Sequence, residues 1–281
     1  MSEIKRPEYN NQKVKVSKFS VFMDILKIRF WNIAKLNLIC MGIYSIFIIV
    51  YAVYLSNIFI PFDLSDFEEG YTNFGELLSL VVVRIPYVLV LFTIPVVAFG
   101  PAVSGMAVVF RSYVRRDDSF SSDFTDGLKK FFWKSLAIST ISTVILVCLG
   151  IAFRWYLINL DPGFLKVFLL MMIGLFSLFF LMMHLYVYQI LVEYDLSIWK
   201  CYKNSYTFAI LRFIPNLLII TGIAAITVLP FFIHVLVGAV LMFIILFGIS
   251  AYIINFFAWP ALEKHLDPIM KEAKIPKVRL Y

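Results

Sequence analysis

Charge is scarce in this chain: Asp, Glu, Lys and Arg make up 15 % of its 281 residues, against about 25 % in soluble domains. A soluble globular fold of this length is excluded by that shortage together with an apolar content of 62 %. Cysteine is also rare. Cys40, Cys148 and Cys201 have neither the mutual spacing nor the neighbouring histidines of a zinc or iron site, and they predict three buried thiols rather than a disulfide framework. No His-Glu-x-x-His helix, phosphate-binding glycine loop or Gly-x-Ser-x-Gly elbow is present, so nothing points to an enzyme, a metal or a cofactor. A short basic n-region ahead of an apolar run is missing too, and the first span is expected to act as its own signal-anchor.

Long apolar runs take the place of these features. Six segments, 36–60, 77–99, 136–157, 164–190, 217–230 and 231–259, meet or approach the roughly 20 apolar residues that cross a hydrocarbon core. They predict an all-α, polytopic membrane protein of about six transmembrane helices. Every Lys and Arg except Arg84, Arg154 and Lys166 lies at alternate ends of these spans, which predicts a cell-membrane protein with both termini cytoplasmic. The loop with Asp63, Asp66, Glu68, Glu69 and Glu76 has no cation and is expected outside. A formal charge of +7 split among short segments matches anionic lipid head groups of the inner leaflet, and no nucleic acid is expected as a partner.

Between the spans, apolar residues recur at helical spacing beside cations, predicting amphipathic helices near 19–34, 121–134 and 196–213. Residues 1–18 are expected to be a disordered cytoplasmic arm, 19–262 one helical membrane domain, and 263–281 a cytoplasmic tail. Arg111, Arg115, Arg116, Asp123, Phe124, Lys129 and Lys130 form the candidate interface for lipid or for transporter subunits. Within the membrane two features stand out. The run from Leu77 to Val114 would be about 57 Å long as one helix, so a break is expected at Gly100-Pro101, either as a kink or as the lining of a cavity. His184, near Tyr186, Tyr188 and Gln189, is the candidate intramembrane polar site. The hydroxyls of Ser135, Ser139, Thr140, Ser142 and Thr143 read more simply as helix-packing contacts.

Ile94-Pro95-Val96-Val97-Ala98-Phe99-Gly100-Pro101-Ala102, Arg111-Ser112-Tyr113-Val114-Arg115, Phe120, Asp123-Phe124 and Lys129-Lys130 resemble the YesL-like family of bacterial integral membrane proteins. The pair Leu36-Asn37 and the segments Tyr194-Asp195-Leu196-Ser197 and Lys203-Asn204-Ser205 extend the resemblance over roughly residues 35–208. In this chain 58 positions separate Asn37 from Pro95, as though a hairpin were inserted. The family has no established activity. Its link to carbohydrate utilisation implies an accessory role beside a solute-uptake system, with a subunit that itself conducts a small solute as the alternative.

The topology has a direct test. With single cysteines placed at Ser65 and Ser119, an impermeant thiol reagent added to intact cells is expected to label position 65 and spare position 119; the opposite pattern inverts the orientation.

Overall fold

The computed structural model describes residues 17–58, 85–117 and 121–278. Among them the architecture is all helical: α1 (Lys18–Ile58), α2 (Ile85–Arg115), α3 (Ser121–Asn159), α4 (Phe164–Glu193), α5 (Ile198–Leu211), α6 (Phe213–Ile233), α7 (Val235–Leu241), a π-helical turn (Met242–Leu246), α8 (Phe247–His265) and α9 (Asp267–Glu272). Four stretches are long and apolar enough to cross a membrane: Ser122–Asn159, Phe164–Glu193, Phe213–Ile233 and Leu236–His265. The protein is therefore a helical membrane protein with four such spans among the described residues. The expected first span falls within α1 up to Ile58, and part of the expected second span, 77–84, lies outside the described residues. The acidic loop lies outside them as well.

Two of the three expected amphipathic helices are not separate elements. The segments 19–34 and 121–134 run without interruption into α1 and α3, because neither Pro nor Gly stands at the joins Ile33–Leu38 and Phe131–Ser139 to end the hydrogen-bond ladder. The third is α5, which stands alone. It is stapled to α6 by Asn216, whose side-chain nitrogen donates to the terminal carbonyls of Phe208 at 3.1 Å and Ala209 at 3.4 Å. The expected boundary between the last two spans, at 230/231, moves to His234. Pro230 is tolerated inside α6, whereas His234 is extended and its Nδ1 accepts from the Leu236 N–H at 3.1 Å, capping α7.

At Gly100-Pro101, where a break is expected, α2 runs as one helix from Ile85 to Arg115, so the chain does not unwind there. Pro101 cannot donate to the carbonyl four residues earlier, that of Val97, and this orphan would ordinarily drive a break. Instead the Ser139 hydroxyl of α3 donates to the Val97 oxygen at 2.6 Å. Gly100 makes that reach possible. A Cβ placed there would lie 2.4 Å from the Ser135 carbonyl oxygen and 2.6 Å from the Ser139 Cβ, so only glycine allows the two backbones this close. The same crossing continues through Gly105 against Phe124 and Gly127 against Val108. This makes α2 and α3 the most extensively packed pair.

The π turn has a comparable explanation. Widening the helix over Met242–Leu246 leaves backbone groups on either side without ordinary partners. Buried Asn37 of α1 supplies them, donating to the Phe243 carbonyl at 2.5 Å and accepting from the Gly248 N–H at 2.7 Å. Asn37 of the Leu-Asn pair in the family resemblance thus anchors the last membrane stretch to α1.

On α3 the exposed Trp133 and Trp155, 78 % and 53 % accessible, are 22 residues apart, or about 33 Å at 1.5 Å per residue. That matches the two aromatic belts of a bilayer core about 30 Å thick. Trp31 and Trp199, both exposed, stand near the start of α1 and α5, toward the end of the bundle that holds Trp133 and most of the cations.

Gly100→Ala is expected to lower the thermal unfolding temperature in detergent, by overpacking on the order of 1–3 kcal/mol. Gly174→Ala is the control. Its site has no atom within 4 Å of an added Cβ, so helix propensity should leave stability equal or slightly raised.

Candidate functional site

Two arrangements contain the sequence-predicted residues. The first is a cavity of about 550 Å³ inside the bundle. Gly100 and Val103 of α2, Ser139, Ser142 and Leu146 of α3, His184 and Tyr188 of α4, Met242 of the π turn and Phe247 and Asn255 of α8 all line it, and Met41 and Tyr44 of α1 close one side. The structure therefore brings together Gly100 and His184, which the sequence had singled out for unrelated reasons. No Asp, Glu, Lys or Arg lies among the described lining residues.

His184 is fully engaged. Its Nδ1 lies 2.8 Å from the Phe180 carbonyl oxygen, which can only accept, so that nitrogen carries the proton. Nε2, 2.7 Å from Ser142 Oγ, then accepts from the hydroxyl in the neutral ring. Ser142 Oγ in turn accepts from the Tyr202 hydroxyl of α5 at 2.8 Å, whose single proton is shared with the Ile138 carbonyl, also at 2.8 Å. Other polar groups of the lining are spent in the same way. Thr143 donates to Ser139 O at 2.8 Å and Ser250 to Leu246 O at 2.8 Å, while Asn255 donates to Ala251 O and accepts from the Trp259 indole at 3.0 Å. No buried side-chain nitrogen or oxygen among the described residues lacks a hydrogen-bond partner.

The second arrangement is a knot of charges where α2, α4 and α8 end, and sequence reasoning missed it. Glu193, the last residue of α4 and only 2 % exposed, takes Arg111 Nη1 on one oxygen at 2.9 Å and both Arg115 Nη2 and Lys277 Nζ on the other at 2.9 Å. Arg115 Nε reaches Glu263 at 2.9 Å, and Lys277 reaches Asp267 at 2.6 Å. Three cations thus meet three carboxylates. Both guanidinium groups also lie over the buried Trp259 ring, at 5.9 and 5.5 Å from its centre.

The expected cytoplasmic tail, 263–281, contributes Glu263, Asp267 and Lys277 to this knot. Its first residues complete α8, α9 follows, and the chain then returns as a strap: Lys277 forms an antiparallel bridge with Tyr194, and the Val278 N–H donates to Glu193 O at 2.8 Å. Tyr194 donates its hydroxyl to Asp267, and burial together with that carboxylate raises its pKa. Burial lowers the Lys277 pKa, but hydrogen bonds to Asp267 and Glu193 outweigh it and hold the ammonium above the ordinary lysine value. A raised folded pKa contributes stability that is complete below the unfolded value near 10.4 and lost as pH rises through the folded one. The strap is therefore held throughout the neutral range.

Of the candidate interface residues, then, Arg111 and Arg115 face inward to Glu193. Asp123 and Phe124 are buried at the start of α3, Phe124 against Gly105. Arg116, Lys129 and Lys130 are exposed, with Arg116 in the left-handed region at φ 61° as α2 ends. The missed signal was Glu193 itself, an acidic residue ending an apolar run among three cationic segments.

Residues 53–153 match the family model described as "Protein of unknown function, DUF624", the domain that YesL-like proteins carry. The match includes the Pro95 to Lys130 block and also takes in part of the stretch between Asn37 and Pro95. No curated protein and no solved structure matches the chain.

Glu193→Ala leaves the poorly accessible Arg111 guanidinium without its carboxylate and takes one of two carboxylates from Arg115 and from Lys277, and is expected to cost about 3–5 kcal/mol or to prevent folding. Asp195→Asn removes only the exposed 2.9 Å pair with Lys134, which holds the Asp195 carboxyl below its usual range, and is expected to change the melting temperature very little. Thermal unfolding of both variants in one detergent checks the ordering.

Proposed function

We propose that this chain is a non-enzymatic integral membrane protein that serves as an accessory or regulatory partner of a solute-uptake system, carbohydrate being the class to which the family resemblance points. The carrying observation is the internal pairing of the buried polar side chains among the described residues. A sugar crossing the bundle would exchange its bonds to water for bonds to the wall, and each hydroxyl left unpaired would cost about 1–3 kcal/mol. His184, Ser142, Thr143 and Asn255 are already committed to neighbours, which disfavours the alternative of a subunit that itself conducts a small polar solute.

The accessible chemistry lies at the basic end. Lys129 and Lys130 on α3, Trp133 beside them, and Trp199 and Lys200 on α5 are all exposed, and the positive-inside rule puts this end in the cytoplasm. Its basic and aromatic character suits anionic lipid at the rim and a protein partner beyond it. Arg111 and Arg115 support that surface from beneath by fixing the helix ends rather than by touching the partner.

Changing Arg116, Lys129 and Lys130 together to Gln is expected to abolish co-purification with a transporter component and impair growth on the transported solute, at unchanged membrane expression. His184→Ala is expected to have little effect on either. A severe His184→Ala growth defect with an intact basic-cluster variant would instead favour the conducting subunit.

A further inference from the structure

We infer that the cavity behind Gly100 and His184 is a binding site for the hydrocarbon chain of a bilayer lipid. Depth is the first argument. Ser142, which His184 touches, is nine residues from Trp133 and thirteen from Trp155, about 13 and 20 Å along α3, so the cavity sits within the hydrocarbon layer. There, acyl chains are the abundant small apolar matter.

Wall chemistry is the second. Tyr44, Phe99 and Phe247 pack in series at steep interplanar angles, with ring centres 4.2 and 4.5 Å apart, and form one aromatic side. On the opposite side the hydroxyl, imidazole and amide groups are turned into one another and into backbone carbonyls, leaving carbon surface toward the space. Water in a cavity needs two to four polar partners, and Ser139, Ser142, Thr143, His184, Ser250 and Asn255 of this wall are already bonded to protein atoms. A charged ligand would meet no countercharge among the described lining residues.

Size and access complete the case. A space of about 550 Å³ falls within the range of small-molecule pockets, and left empty it would forfeit the dispersion contacts of its whole lining. Leu146, 37 % exposed, stands where the space approaches the outer surface of α3, so a chain can enter sideways from the bilayer. This site is independent of the basic surface: a lipid can occupy it whether or not that surface docks a transporter.

Photolabelling tests the site. The full chain, reconstituted in phosphatidylcholine vesicles containing a phosphatidylcholine with a diazirine midway along one acyl chain, is irradiated, digested and mapped by mass spectrometry. Adducts are expected on the inward residues Met41, Val103 and Phe247 as well as on the outward Val144, Phe168 and Phe176. Filling the space with Leu146→Trp, or with Val103→Phe should the first variant fail to fold, is expected to remove the inward adducts and spare the outward ones. Wild-type labelling confined to outward positions overturns the inference, and so do inward adducts that persist at full yield in a folded, cavity-filled variant.

Discussion

A backbone carbonyl without a partner cannot be left in hydrocarbon, and the arrangement of this bundle turns on how that constraint is met at Pro101. The proline removes the donor that Val97 O requires. Ser139 from the neighbouring helix supplies one at 2.6 Å, but only because Gly100 lets α3 come within reach. Once those two backbones are fixed, Gly105 and Gly127 continue the crossing, and the positions of Ser142 and Thr143 follow from the helix period. His184 then finds its partner on α3. Asn37 solves the equivalent problem for the π turn, so α1 and α8 are tied by the same logic.

Much of this was legible before any coordinates. Apolar run length marks α3, α4 and α6 and the joined stretch from α7 to α8, because the bilayer imposes a length on any helix crossing it. Pro101 and Gly100 could be recognised as exceptional, yet their consequence could not be inferred from α2 alone. A proline in an isolated helix predicts a break, and the rescue comes from a serine 38 positions later, whose approach depends on packing. The joined helices at 19–58 and 121–159 escaped for a different reason: amphipathic pattern reports which face is buried, not where a helix stops.

The charge knot was hidden by the way charges are counted. Arg111 and Arg115 enter the positive-inside sum as a basic segment, and that sum carries no information about a carboxylate 78 residues away. Glu193 lies just beyond the apolar run 164–190, and nothing in that run names its partners. In the fold it is the point on which α2, α4 and the C-terminal strap converge, and its burial is possible because three donors replace the water it loses. The distinction matters for function, since a cation already paired inside cannot serve as a docking group without abandoning a buried partner.

Interior and surface therefore have opposite chemical character. Within the membrane every described buried polar side chain is satisfied, no charge lines the cavity, and the remaining open space presents carbon. At the basic end, three cations and three carboxylates cancel one another around Glu193, and the exposed cations include Lys27 and Lys35 of α1, Arg116, Lys129 and Lys130 of α3, Lys200 and Lys203 of α5, and Lys264 and Lys271 near the C-terminus. Tyr202 connects the two regions, since it belongs to α5 and its hydroxyl meets Ser142, the partner of His184.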